Sequence, residues 1–189
     1  MAASQPDDAA LDEDVHLQAH DPAWAGTFLR ERAALAERLG RDGLAIEHIG
    51  STAVAGLLAK PVVDLMIGVP SFEATGAIEA ALRHAGYEAL GPAGVEGRLY
   101  FRKRRGAACN AHVVVHGGPL WWANLAFREH LRASATARDR YAAAKQAALA
   151  AGHGRLLAYS AAKSAVVAAL LHEALRGRGD TEPLPCPPR

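Results

Sequence analysis

The sequence lacks several features that mark large classes of proteins. No run of 18 apolar residues occurs without a charge, which excludes a membrane-spanning helix. Only two cysteines are present, Cys109 and Cys186, and two thiols cannot build a disulfide scaffold or a four-thiolate zinc site. The first 16 residues are acidic and lack the basic and apolar regions of a signal peptide. We therefore expect a cytoplasmic protein with no membrane partner.

The sequence also lacks an excess of charge of one sign. Its 189 residues contain 21 Lys and Arg against 20 Asp and Glu, a formal net charge of +1. This balance gives no general attraction to polyanions, so a long nucleic acid is not an expected partner. The first 14 residues hold five acids and no base, however, so the remaining residues carry a formal net charge of +6. A moderately basic domain fits a small phosphorylated ligand.

Length and composition predict one folded domain between two disordered ends. A chain of this size can form one domain with its own hydrophobic core. Residues 1–14 are acidic and rich in Ala, and residues 176–189 are dense in Gly and Pro, so we expect both segments to be disordered. Residues 15–175 form the predicted domain.

The hydrophobic pattern of this domain changes between strand and helix periods along the chain. It predicts an α+β fold in which a mixed β-sheet is covered by helices and the C-terminal third is helical. The last two predicted strands are expected to form a hairpin. The predicted strands are 44–49, 61–69, 87–90, 98–103 and 109–115. The predicted helices are 22–39, closed by Gly40, then 71–85, 120–131, 135–150 and 160–175, with a short helix or turn at 53–59.

A small-residue turn and a strand carboxylate carry the strongest chemical signal. Gly50-Ser51-Thr52 follows a predicted strand, and consecutive backbone N–H groups in such a turn can bind an anion while the hydroxyls add donors. Lys60 follows, and Asp64 lies in an apolar strand. A carboxylate there is costly unless it binds a metal, pairs with a cation or accepts hydrogen bonds. The structural alternatives are a helix-capping turn at 50–52 and a salt bridge from Asp64 to Lys60 or an arginine.

The spacing of these residues resembles the nucleotidyltransferase superfamily pattern. That pattern is a hydrophobic residue, Gly-Ser, a gap and an acidic residue in a hydrophobic strand, and here twelve residues separate Ser51 from Asp64. More narrowly, HIGSTAVAGLLAKPVVDLMIGV is similar to the signature of the GrpB family, a branch of that superfamily. The resemblance covers residues from about 15 to 175. Further matches follow in order: HDPAW (20–24), FRK (101–103), HVVVHGG (112–118), WWANLAFREHLR (121–132), RYAAAK (140–145) and YSAAKSAV (159–166).

The resemblance implies a protein with a nucleotidyltransferase-like fold. Such a protein is expected to use ATP or another NTP together with Mg²⁺ or Mn²⁺. Active members of the superfamily hold the metal with two acidic residues two positions apart on one strand and a third on a nearby strand. The second position here is Met66, whose thioether is a poor Mg²⁺ ligand, and strand 109–115 contains no carboxylate. That strand offers His112 instead. We therefore expect Asp64 and His112 to be the catalytic and metal-binding residues.

Basic residues supply the other half of the predicted phosphate site. Alternation places Arg98, Tyr100 and Arg102 on one strand face and Lys103 on the other, while Arg104 and Arg105 form a solvated hairpin tip. The nucleotide-binding candidates are Gly50, Ser51, Thr52, Lys60, Arg102 and Lys103. The substrate-binding candidates are His48, Arg128, Tyr159 and Lys163. Their structural alternatives are a hydrogen-bonded histidine, an ion-paired helix face and packing between the C-terminal helices.

Three functions are compatible with these residues. The first is an enzyme that transfers a nucleotidyl or phosphoryl group to a small molecule, or activates that molecule for ligation. The second is a non-catalytic nucleotide-binding or regulatory module, which Met66 supports. The third is a phosphate-independent metal enzyme that uses His48, Asp64 and His112.

Overall fold

A five-stranded mixed sheet organises the chain in the computed structural model, which describes residues 11–39 and 45–176. The order across the sheet is β1-β2-β5-β4-β3, with β2 and β5 parallel and the other neighbours antiparallel. The predicted α+β class and the β4–β5 hairpin are confirmed. The strands are β1 (Ile46–Ile49), β2 (Val63–Val69), β3 (Glu88–Ala89), β4 (Arg98–Lys103) and β5 (Cys109–Val115).

Six α-helices accompany the sheet within the described residues. The last four form the predicted helical C-terminal third. None of the helices in these ranges is long and apolar enough to cross a bilayer. The helices are α1 (Ala23–Leu39), α2 (Gly76–His84), α3 (Pro119–Ala133), α4 (Ala135–Ala150), α5 (Leu156–Ala162) and α6 (Ser164–Arg176).

The start of α1 follows the predicted capping pattern. The backbone N–H of Ala23 donates to Asp21 Oδ1 at 2.8 Å, which satisfies a donor that has no partner inside the helix. The predicted end of this helix at Gly40 lies outside the described residues.

Two predicted helices are interrupted in the structure. The helix predicted at 71–85 begins as a 3₁₀ turn, Phe72–Ala74, and α2 starts only after Thr75, whose hydroxyl donates to the Phe72 carbonyl at 3.0 Å. The helix predicted at 160–175 is two helices that meet at Lys163, where the backbone leaves helical geometry with φ −100° and ψ 0°. Apolar periodicity continues across both breaks, which is why it does not reveal them.

Alternation along the strands gives the sheet two different faces. The face that carries Leu65, Ile67 and Val113 packs against α1 and α2 in the main hydrophobic core. The opposite face carries Asp64 near the start of β2 and becomes apolar further along. Met66 packs there against Ile49, Val114 and Trp121, the last from α3. The polar part of this second face is therefore left for the C-terminal helices to enclose.

The four described residues of the predicted disordered N-terminus, 11–14, pack against the domain. Leu11 is buried, the carbonyl of Glu13 accepts a hydrogen bond from the backbone N–H of Leu156 at 2.9 Å, and Asp14 pairs with Arg155. The structure thus starts the folded domain before residue 15, because buried contacts and ion pairs hold this acidic segment. The rest of the predicted disordered ends, 1–10 and 177–189, lies outside the described residues.

Replacing Gly68 by Ala tests how α3 packs on the sheet. A Cβ at Gly68 lies 2.9 Å from atoms of His116 and Trp121, so a ring or the strand must move. We expect the free energy of unfolding to fall by about 1–3 kcal/mol, measured by urea unfolding. Gly76→Ala is the matched control, because a Cβ there meets nothing within 4 Å and Ala favours a helix. Equal stabilities of the two variants would contradict this packing.

Candidate functional site

A cavity of about 440 Å³ lies between the polar part of the sheet and the C-terminal helices. The turn after β1, the first residues of β2 and β5, strand β4 and helices α4 and α5 all contribute to its wall. Eight of the twelve predicted site residues line it: Gly50, Ser51, Thr52, Lys60, Asp64, His112, Tyr159 and Lys163. The cavity therefore brings the turn at 50–52 and the Asp64 carboxylate together with Lys60, Tyr159 and Lys163.

Asp64 is the one acidic side chain among the described residues that line the cavity. Asn110, its register partner on β5, donates to Asp64 Oδ1 at 2.7 Å, and His112 Nε2 lies 3.2 Å from the same oxygen. Burial raises the pKa of Asp64, but the bonds from His112 and Asn110 and the charge of Lys60 outweigh it and lower the pKa overall. The carboxylate is therefore ionised, and its side chain remains 24% exposed. Among the described residues, Asp64 accepts these two hydrogen bonds and does not form the salt bridge to Lys60 or an arginine that was the structural alternative.

The tautomer of His112 follows from its two neighbours. Arg98 Nη1 lies 3.4 Å from His112 Nδ1, and a guanidinium can only donate hydrogen bonds. In a neutral imidazole Nδ1 is then the acceptor, and Nε2 carries the proton that faces Asp64. His112 therefore orients the carboxylate oxygen that it contacts.

Gly50 brings the backbone against this carboxylate. Its φ of 71° is in the left-handed region, and a Cβ at this position lies 2.5 Å from Asp64 Oδ2. A residue with a side chain therefore fits only if Asp64 moves. The next residues, Ser51–Ala53, form a single 3₁₀ turn rather than the start of a helix, so the turn is not a helix cap.

Lys145 of α4 reaches the same turn and was absent from the predicted site. Its Nζ donates to Ser51 Oγ at 2.6 Å and to the Leu58 carbonyl at 2.8 Å, and its side chain is 2% exposed. Burial, and next the like charge of Lys163, lower the pKa of Lys145 to about 7. Among the described residues, no carboxylate lies within ion-pair distance of this amine. The protonated form of Lys145 therefore lacks a direct counter-charge among the described residues.

Two further cations face the cavity. Lys163, at the α5–α6 junction, has its Nζ 5.1 Å from the centre of the Tyr159 ring. Burial lowers the pKa of Lys163, although the charge of Asp64 acts in the opposite direction. Arg98 is held by the carbonyls of Pro92 and Ala93, and burial lowers its pKa as well. With Lys60 and Lys145, four basic side chains line a cavity whose described lining contains one carboxylate.

Arg102 and Lys103 do not line the cavity. Lys103 lies on the opposite face of the sheet, where its Nζ is 2.7 Å from Glu31, and this takes it away from the predicted nucleotide site. Arg102 lies on the same face as Asp64 but extends to the cavity's edge, with Nη2 3.3 Å from Glu88.

His48 and Arg128 also lie outside the cavity. The ring of His48 stacks on Phe28 of α1 at 4.8 Å and bonds Thr52 Oγ1 at 3.0 Å. Burial lowers the pKa of His48 to about 4, so the ring is neutral. Arg128 donates to Glu47 and to the His48 carbonyl, both at 2.8 Å. Both side chains support the turn from outside the cavity and do not reach into it.

Five residues outside the twelve predicted site residues also belong to the site. Arg98, Tyr100, Asn110, Tyr141 and Lys145 line the cavity. Alternation along β4 and β5 already places the first three of these on the faces of Arg102 and His112, which is a usable signal. Arg104, predicted to be solvated, instead donates to Asn110 Oδ1 at 3.0 Å.

The described residues fit a metal ion only in part. No group of three or more His, Cys, Asp or Glu side chains converges among them, and His48 is on the wrong face to join Asp64 and His112. Met66 is fully buried in an apolar cluster, so it leaves no second ligand on β2. The arrangement therefore does not supply a two-metal site or the three-residue metal site of the third hypothesis. It fits an ion that takes most of its ligands from phosphate and water.

The comparison with protein families agrees with the motif matches. The family described as "GrpB protein" matches residues 14–173. The chain belongs to the GrpB family. The Streptomyces coelicolor protein named UPF0157 protein SCO7215 is 37% identical over 157 residues, covering 83% of this chain and 82% of that one. The crystal structure of conserved protein GrpB from Enterococcus faecalis has a TM-score of 0.77 at 30% identity, covering 86% of this chain and 99% of that chain.

Other relatives of this GrpB-family chain are longer than it is. The Bacillus subtilis protein named UPF0157 protein YqkA is 34% identical over 133 residues, which are 70% of this chain and 39% of that protein. A Mycobacterium bovis protein named dephospho-CoA kinase is 30% identical over 169 residues, covering 76% of this chain and 42% of that one. The chain thus spans less than half the length of these two relatives.

Lys145→Met tests the burial of an uncompensated amine. Unfolded Lys145 holds its proton up to about pH 10.5, whereas folded Lys145 releases it above about pH 7. The unfolded state therefore binds more protons in this window, and this residue makes the free energy of unfolding rise with pH, by up to about 1.4 kcal/mol per pH unit. We expect Lys145→Met to remove that slope in urea unfolding between about pH 7 and about pH 9.

The control is Lys103→Met, which removes a lysine that is paired with Glu31 on the opposite face. Its slope should match that of the unmodified protein. A Lys145→Met variant with an unchanged slope would show that Lys145 is not buried as described.

Proposed function

We propose that this chain is a nucleotidyltransferase-fold enzyme that binds ATP or another NTP in the Asp64 cavity. It transfers a nucleotidyl or phosphoryl group to a small molecule, or activates that molecule for ligation. The observation that carries the proposal is the excess of basic side chains, since Lys60, Arg98, Lys145 and Lys163 line a cavity with one carboxylate in its described lining, and of these four only Lys60 pairs with a further described carboxylate, Glu13. The phosphates of a nucleotide would supply the missing negative charge.

The comparisons support a nucleotide-related function in a general way. The chain is similar over three quarters of its length to part of a protein named dephospho-CoA kinase, and a kinase transfers a phosphoryl group. Gly-Ser followed after twelve residues by a strand carboxylate is the pattern by which the chain resembles nucleotidyltransferases. Gly50, Ser51 and Asp64 line the same cavity, which agrees with that resemblance.

The residues of the cavity divide into phosphate-binding and carboxylate-orienting groups. Ser51 presents its hydroxyl at the turn, and Lys145 lies within hydrogen-bond distance of it, so one phosphate would contact both side chains. Lys60 and Lys163 would neutralise the charge that develops on the phosphoryl oxygens.

Asp64 is the group that would contact a metal ion brought in with the nucleotide. Asn110 and His112 hold one of its oxygens, and the other faces Gly50. Mg²⁺ or Mn²⁺ bound to the phosphates would supply charge neutralisation at the reacting phosphorus. Because Asp64 is the only carboxylate in the described lining, the phosphates and water would provide most of the ion's remaining ligands.

A second candidate function is a nucleotide-binding or regulatory module without catalysis. The observation in its favour is Met66, which is fully buried at the position where active nucleotidyltransferases have a second carboxylate. The two functions differ in turnover and not in binding, so one experiment separates them.

Asp64→Asn tests the proposed chemistry. Incubation of the protein with NTP, Mg²⁺ or Mn²⁺ and mixtures of small-molecule acceptors should release pyrophosphate or phosphate, and Asp64→Asn should abolish the release because the remaining amide cannot hold the ion. Asp139→Asn, which changes an exposed carboxylate of α4, is the control and should leave release unchanged. Binding is measured in parallel as the rise in melting temperature that a ligand of the native state produces.

The outcomes assign the function. Nucleotide that binds without turnover in the unmodified protein favours the module. Failure of every NTP to raise the melting temperature at millimolar concentration, with and without metal, contradicts both candidates.

A further inference from the structure

One carboxylate at the edge of the cavity lies among three cations. Glu13 Oε1 is 2.7 Å from Lys60 Nζ and 2.7 Å from Arg104 Nη2, and Glu13 Oε2 is 2.8 Å from Arg104 Nε and 3.8 Å from Arg102 Nη1. The Arg104 contact is bidentate, the geometry in which a guanidinium binds either a carboxylate or a phosphate. The cluster thus has the form of an occupied anion site.

Glu13 remains an anion throughout the physiological pH range. Burial raises the pKa of its carboxyl group, but the hydrogen bonds from Arg104 and Lys60 outweigh burial and lower the pKa to about 2. Its side chain is still 22% exposed, so solvent reaches it. Protonation therefore does not release it, whereas exchange for another anion can.

The cluster is continuous with the cavity. Lys60 belongs to both, because it lines the cavity and binds Glu13. Arg104 also donates to Asn110 Oδ1, and Asn110 in turn donates to Asp64. A single amide side chain therefore connects the cations around Glu13 to the carboxylate at the centre of the cavity.

The backbone that carries Glu13 is held independently of its side chain. The Glu13 carbonyl accepts from Leu156, the N–H of Val15 donates to the Gly154 carbonyl at 2.8 Å, and Arg155 pairs with Asp12. Rotation of the Glu13 side chain alone can therefore empty the cluster, without unfolding this segment.

We propose that Lys60, Arg102 and Arg104 form a second anion subsite, which the Glu13 carboxylate occupies in the free protein and a second phosphate group occupies in the complex. The inference rests on the proposed function, because the first phosphate is the one placed at Ser51 and Lys145. Two anion subsites would favour molecules with linked phosphates, such as inorganic tripolyphosphate or a nucleoside triphosphate. Monophosphates would bind more weakly because they can fill only one subsite. Glu13 then acts as an internal competitor that sets the threshold for binding.

Glu13→Gln tests this subsite, with inorganic orthophosphate and tripolyphosphate as probes in calorimetric titrations at fixed ionic strength. The variant keeps the shape of the side chain and removes the competing charge. We expect the ratio of tripolyphosphate to orthophosphate affinity to rise about tenfold. Arg104→Gln should lower the same ratio, because it removes the bidentate donor and leaves the Ser51 end unchanged.

Glu31→Gln is the matched control. Glu31 is also a carboxylate 2.7 Å from a lysine, but it binds Lys103 on the opposite face of the sheet, so its replacement should leave the ratio unchanged. An unchanged ratio in Glu13→Gln, or the same rise in Glu31→Gln, would overturn the subsite while leaving the proposed function standing. Absence of binding of either anion to the unmodified protein and all three variants would overturn both.

Discussion

The cavity buries more positive charge than its carboxylate can balance, and the other features of the site depend on this imbalance. Lys145 is 2% exposed and donates to two neutral oxygens, those of Ser51 and Leu58. Burying an ammonium group without an opposite charge costs free energy, and the same cost appears as the lowered pKa of Lys145. A ligand that brings several negative charges would repay this cost on binding. Under the proposed function, this imbalance would favour a phosphorylated ligand.

The pairing of the strands determines where the charged groups of the cavity lie. Parallel pairing of β2 with β5 sets Asp64 beside Asn110 and His112, and Gly50 leaves room for the backbone to approach the same carboxylate. Two residues further along β2, the buried Met66 turns the face apolar. The polar site is thus confined to the beginning of these strands, where the C-terminal helices add their lysines. Glu13 provides a partial counter-charge at the edge of the cavity.

Short-range patterns in the sequence predicted the parts of this structure that depend on neighbouring residues. Period-two alternation set the bounds of β4 and β5 and placed His112 on the correct face, and the Ser51–Asp64 spacing indicated the turn and the carboxylate. The missed features depend on contacts between distant residues. Lys145 is 94 residues from Ser51, and Arg104 is 91 residues from Glu13. Alternation separated Arg102 from Lys103, but only the packing of α1 shows which of the two faces the core.

The pKa of Lys145, measured with and without inorganic tripolyphosphate, tests the central claim most directly. Lysine labelled with ¹³C at Cε gives one NMR signal per side chain, and the spectrum of a Lys145→Met variant assigns the signal of interest. The account predicts a pKa near 7 in the free protein and a clear rise when the anion binds, because phosphate supplies the missing counter-charge. A pKa near the ordinary lysine value of 10.5 that does not change with tripolyphosphate would contradict it.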